Sequence, residues 1–186
     1  MKVELFPTTI FLDKVDLSKI IMTNSKYEPT FFSNVNSNYL HQPQLEPLSY
    51  DYLSQIIERN LKETGVYINP RISAIWRNVY AEKDMQEIHI HADSQWSFII
   101  YETVENSRTV FLNPAWKQIE TCMGYFSPIF PANWRPKLEP GSILIFPSYL
   151  EHYVLPGNTG STIAGNVNLV YPREENSKQI LKDERL

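Results

Sequence analysis

Glu87-Ile-His-Ile-His-Ala-Asp-Ser-Gln-Trp-Ser-Phe-Ile-Ile-Tyr101 is the stretch on which the fold turns. Its second half, from Trp96 to Tyr101, is a short apolar run of the kind that forms a buried strand. Its first half carries His89, His91 and Asp93, spaced two apart. In an extended chain side chains two apart share a face. The run therefore predicts a strand presenting imidazole, imidazole and carboxylate in a row, backed by an apolar strand.

Outward from this stretch, the strand pattern continues on both sides. Val66–Asn69, Ile72–Tyr80, Glu87–Ile90, Trp96–Tyr101, Thr109–Leu112, Ser142–Phe146, His152–Leu155 and Thr162–Val170 are short β-prone runs punctuated by Pro, Gly and Asn. Val3–Phe6 and Thr9–Leu12 read as two edge segments broken by Pro7. One helix is expected over Ser49–Gly65, with Leu53, Ile56, Ile57 and Leu61 on one face, Ser49 as N-cap and Gly65 as stop. Met22–Pro47 reads as a long ordered loop, Asn113–Pro136 as an aromatic, proline-rich lid, and Arg173–Leu186 as a polar tail. So many short strands in 186 residues predict a mainly β fold, a sandwich, barrel or jelly roll, in a single domain spanning residues 1–186.

A formal charge of −4 gives no basic field with which to neutralise a phosphate backbone, so nucleic acid is disfavoured as a partner. The lone Cys122 cannot close an internal disulfide, and no apolar run reaches the roughly 20 residues that span a bilayer. A cytoplasmic protein, monomeric or homodimeric, with no membrane partner is the expectation.

The second half of the chemistry lies at Pro140-Gly-Ser-Ile-Leu-Ile-Phe-Pro-Ser-Tyr-Leu-Glu-His-Tyr-Val154, where a further histidine, His152, opens a strand. It follows His91 by 152 − 91 = 61 residues, room for a strand, a loop and a return. Two imidazoles and a carboxylate on a β scaffold can occupy one face of an octahedral Fe(II), leaving three positions for a 2-oxo acid and dioxygen. A closed structural zinc site would want a fourth ligand, usually Cys or His, and Cys122 is the only thiol.

Leu5-Phe-Pro-Thr-Thr-Ile-Phe11, Trp76-Arg-Asn-Val79, the His-x-His block running to Tyr101, and Gly141 to Pro156 with its Phe-Pro-Ser-x-x-x-His core together resemble a family of 2-oxoglutarate/Fe(II)-dependent oxygenases of phage and bacterial type. The resemblance runs over nearly the whole chain. It implies a double-stranded β-helix, jelly-roll or cupin-like, with one or two flanking helices. It also implies Fe(II) and 2-oxoglutarate as cofactors, and a dioxygenase, a hydroxylase of a peptidyl or small-molecule substrate. The chain overlays His-x-His on the wider His-x-Asp…His signature. The wider signature selects His91, Asp93 and His152 as catalytic metal ligands, with His89 as the rival to Asp93.

The same resemblance leads one to expect an arginine about ten residues after the distal histidine, to pair with the far carboxylate of 2-oxoglutarate. That position is Thr162, and the block reads Gly160-Ser-Thr-Ile-Ala-Gly-Asn166. Asn78 and Tyr80, which resemble an Asn-x-Tyr pair of AlkB-type oxygenases, join Thr162 and Asn166 as the expected co-substrate contacts. Arg71 and Arg77 fall on the opposite face of their strand. Two alternatives stand: a cupin-type metalloenzyme, weakened by Gln95 and Trp96 where a cupin wants Glu, and a non-catalytic jelly-roll module in which His152 would point away from His91.

Overall fold

The computed structural model describes residues 7–23, 25–30, 33–65, 69–104, 107–123 and 131–170. Val3–Phe6, Tyr125, Phe126 and the tail Arg173–Leu186 lie outside them, as does most of the strand expected at Val66–Asn69.

Two antiparallel sheets carry the chain. The larger contains β1 (Phe11–Lys14), β2 (Glu28–Pro29), β3 (Asn36–Ser37), β4 (Asn69–Tyr80), β6 (Trp96–Tyr101), β9 (Ser142–Pro147) and β11 (Gly160–Val170), in the order β1-β9-β6-β11-β4-β3-β2. The smaller contains β5 (Gln86–His89), β7 (Thr109–Leu112), β8 (Asn133–Trp134) and β10 (His152–Val154), in the order β5-β10-β7-β8. This pair of sheets forms the double-stranded β-helix expected from the sequence.

Why β6 and β9 lack alternating polar residues follows from what covers them. Phe98, Ile100, Ile143, Ile145, Ile163 and Val167 face the helix α1 (Pro47–Leu61) through its Leu53, Ile56, Ile57 and Leu61. On the opposite face Ile99, Tyr101, Leu144 and Phe146 meet Phe111 and Val154 of the smaller sheet. A strand covered on both faces buries every side chain, and all six of β9 are buried. Gly165 is a consequence of the same packing: a Cβ there would meet the Phe98 ring and stand 2.7 Å from the Ala74 carbonyl oxygen.

Several boundaries differ from expectation for local reasons. α1 starts two residues before Ser49, with Pro47 in its first turn, where a missing N–H costs nothing. Ser49 Oγ instead accepts a hydrogen bond from the Ile21 amide at 3.0 Å, tying the helix to the preceding loop. The helix then tightens into a 3-10 turn at Lys62–Thr64 and stops at Gly65, whose φ of +80° suits glycine. Within Met22–Pro47, β2 and β3 extend the larger sheet beyond β4, where a loop was expected. Inside the expected lid, α2 (Trp116–Met123) is helical, and Trp116 Nε1 donates to Glu151 at 2.9 Å, next to His152. Among the described residues no helix is long and apolar enough to cross a membrane.

Candidate metal centre

His89 closes β5 and His152 opens β10, and the two strands pair with these residues directly opposite each other. The smaller sheet thus sets two imidazoles side by side, with ring centroids 4.3 Å apart. His91 follows on the loop, held by its amide donating to the Ser148 carbonyl at 3.0 Å. Its ring lies 5.1 Å from that of His152 and 5.6 Å from that of His89. One ligand nitrogen from each of the three lies within 4.8 Å of the other two.

Hydrogen bonds decide which nitrogen each ring offers. His89 Nδ1 stands 2.7 Å from the Glu87 carbonyl and His152 Nδ1 2.9 Å from the Leu150 carbonyl. A carbonyl only accepts, so each Nδ1 carries the proton. His91 Nδ1 is 2.7 Å from Asn166 Oδ1, which accepts likewise. All three rings therefore keep the lone pair on Nε2, the tautomer that a metal-binding imidazole with a hydrogen-bonded back side requires.

Electrostatics holds them neutral. Burial lowers the His91 pKa to about 4, with repulsion from a charged His89 adding to the effect. Burial also lowers His89, and drives His152 well below the ordinary range with help from both neighbours. Phe146 lies edge-on to His152 at 5.0 Å and Phe111 stacks on it at 5.5 Å, which explains the dryness of that ring. Three neutral nitrogen donors facing a common point fit Fe(II).

Asp93 is not in this cluster. The extended run ends at His89, the chain turns at Ala92–Asp93, and Asp93 has φ of +64°. Two-residue alternation holds only for extended backbone, so the same-face argument that links His89 to His91 stops short of Asp93. Asp is one of the few non-glycine residues to tolerate this left-handed geometry. It is exposed, at the rim of the cavity beside the histidines.

That cavity, about 330 Å3, is lined by His89, His91 and His152 and also by Asn78, Tyr80, Thr162 and Asn166. The four side chains singled out as co-substrate contacts thus share one space with the histidines. Asn166 has a nearer task, holding the back of His91, and also accepts from Ser97 Oγ at 3.3 Å. Gln86 and Thr109, which the sequence did not bring forward, line the far end. Their signal was strand register: Gln86 and Thr109 both pair with Val154, two residues beyond His152. Arg77 lies outside, its guanidinium paired through Nε and Nη2 with Glu102 at 2.7 and 2.9 Å.

A family model described as "Putative 2OG-Fe(II) oxygenase" matches residues 74–164, which contain all three histidines. No protein of curated function matches the chain. Among solved structures, a Pseudomonas putida prolyl-4-hydroxylase aligns over 78% of this chain and 78% of its own, at 13% identity and a TM-score of 0.53. HygX from Streptomyces hygroscopicus, with nickel, 2-oxoglutarate and hygromycin B bound, aligns over 88% of this chain and 84% of its own, at 10% identity and a TM-score of 0.50. At these identities the likeness is one of fold.

Proposed function

Because this chain belongs to the 2OG-Fe(II) oxygenases, we propose that it is a hydroxylase of a peptidyl or small-molecule substrate that holds its iron through His89, His91 and His152. The observation that carries the ligand set is the cluster of one ligand nitrogen from each ring, all within 4.8 Å of one another, on imidazoles whose Nδ1 atoms each face a hydrogen-bond acceptor. When bound, iron and 2-oxoglutarate supply the oxidation of a C–H bond by dioxygen, with decarboxylation of the 2-oxo acid to succinate.

The chain's own residues do the rest. Glu87, Leu150 and Asn166 fix the three rings from behind, so that no proton need leave an imidazole before metal can bind. Trp76, Ile99, Val154 and Ala164 give the cavity an apolar wall that keeps bulk water from the metal end. Tyr39, Leu40 and Ile90 are half exposed at the mouth and offer an apolar surface to an entering substrate. The proposal places all of this in one cytoplasmic domain, residues 1–186, of phage or bacterial type, monomeric or homodimeric.

Anaerobic titration with Fe(II) and 2-oxoglutarate together tests the reading. A weak visible charge-transfer band should appear with both present and with neither alone. His89→Ala should abolish it, whereas Asp93→Asn, which keeps the shape and the tolerated backbone, should leave it. Loss of the band in Asp93→Asn with retention in His89→Ala would return the assignment to Asp93.

A further inference from the structure

The end of the cavity away from the histidines has an unusual composition for a site that takes a dianion. It is built where β4 and β11 of the larger sheet face β5, β7 and β10 of the smaller one. Asn78 pairs with Thr162 across β4 and β11, and Val154 with Gln86 and Thr109 across the other three. Tyr80 OH donates to Gln86 Oε1 at 2.9 Å and so joins the two sheets there. Ala164, between Thr162 and Asn166 on the inward face of β11, leaves room for a carbon chain from the metal end to this polar one. Among the described residues lining the cavity there is no Lys or Arg, and Asp93 at the mouth is the one carboxylate.

Resting on the proposed function, we infer that the far end of the co-substrate is recognised by the neutral side chains Asn78, Tyr80, Gln86, Thr109 and Thr162, so that the enzyme accepts 2-oxo acids whose far end is uncharged and polar nearly as well as it accepts 2-oxoglutarate. The physical reasoning compares two kinds of pocket. Where a buried guanidinium meets a carboxylate, removing the carboxylate's charge strands the cation, and discrimination is steep. Here nothing is stranded. A carboxylate only accepts hydrogen bonds, whereas the cluster offers both donors and acceptors, including the Asn78 and Gln86 amides. An ester or amide carbonyl can accept from the same donors and does not carry a desolvated charge into a space without a counter-charge. Tyr80 contributes as a neutral phenol, since burial raises its pKa far above neutrality. At the metal end the situation is reversed: three neutral imidazoles would leave the charge of a bound Fe(II) uncancelled, and that charge would attract the carboxylate and keto oxygens every 2-oxo acid shares.

The test uses binding, read as the anaerobic charge-transfer band of the Fe(II)-loaded protein, for 2-oxoglutarate and its 5-methyl ester. Half-saturation for the two should agree within about tenfold, the span of about 1.4 kcal/mol. Thr162→Arg should open that gap in favour of 2-oxoglutarate by a further tenfold or more, and Tyr80→Phe should weaken both ligands together. A wild-type preference for 2-oxoglutarate above a hundredfold would overturn the inference while leaving the oxygenase reading intact, because it would require a cation. Absence of a band with either ligand would overturn both.

Discussion

Asn166 is the side chain at which the metal centre can be disturbed without removing a ligand. Its Oδ1 accepts the His91 Nδ1 proton at 2.7 Å and Ser97 Oγ at 3.3 Å. Asn166→Ala leaves the His91 N–H without a partner in a largely dry site, at a cost of about 1–3 kcal/mol. It also frees the ring to rotate or change tautomer. Loss of such an outer partner lowers metal affinity by about 10–100-fold, and we expect that range in a competition titration against a chromophoric chelator, using Ni(II) under air. Asn166→Asp is the informative partner. Its carboxylate still accepts from Nδ1, so the affinity should recover at neutral pH, but the negative charge favours a protonated His91. The pH midpoint of metal binding should therefore move upward relative to wild type. Asn166→Ala binding Ni(II) as tightly as wild type would refute the argument, since His91 could not then be a ligand oriented by this bond.

Three further outcomes follow from other parts of the molecule. The metal-free protein should lose stability as pH falls from about 6.5 to about 4: unfolded histidine takes its proton near 6.5, while His91 resists until about 4, so the unfolded state gains protons first through that window. His91 alone would contribute up to about 3 kcal/mol to the loss, readable by urea melts at stepped pH, and a flat profile would show that the rings are not buried neutral. Arg77→Ala breaks the forked pair with Glu102 on the outer face of β4 and should cost about 1–2 kcal/mol in thermal unfolding; changed 2-oxo acid binding would mean that Arg77 reaches the cavity after all. Gly165→Ala drives a methyl into the Phe98 ring and should cost about 1–3 kcal/mol by chemical denaturation, with no cost indicating that β11 can shift away from β6.

Much of the scaffold could be read from local pattern because strands buried on both faces announce themselves. Trp96–Tyr101 and Thr109–Leu112 occur as expected, and β9 runs one residue further, to Pro147. The α1 face of Leu53, Ile56, Ile57 and Leu61 was equally visible in its spacing. Elements whose pairing is set by distant chain escaped. β2 and β3 are two residues each and exist because β4 offers an edge to β3, and β3 in turn to β2, and α2 sits in a proline-rich region whose composition suggested only a loop. The histidines were legible as a group, whereas the turn at Ala92–Asp93, which sets Asp93 apart from their cluster, cannot be seen in residue spacing. Nor could the spacing show that His89 lies directly across from His152, since that depends on the β5–β10 register.

Both departures from the expected pattern have the same electrostatic sense. In the proposed ligand set His89 stands where a carboxylate was expected and leaves the protein's own contribution to the site neutral, and among the described residues the far end of the cavity, with Thr162 where an arginine was sought, is neutral as well. In a site with an anionic ligand, one negative charge offsets part of the metal's and a cation at the far end restores attraction for a dianion. With both removed, attraction for the co-substrate is concentrated on the metal and acts on the chelating end. Restoring the cation alone should then tighten 2-oxoglutarate more than restoring both charges: Thr162→Arg tightens the far end, whereas a carboxylate at position 89 or 91 would weaken the metal's pull on the near end. The two positions are coupled through the ligand they share, and a double-mutant cycle across them should be non-additive for 2-oxoglutarate and close to additive for its 5-methyl ester, whose far end feels no added cation.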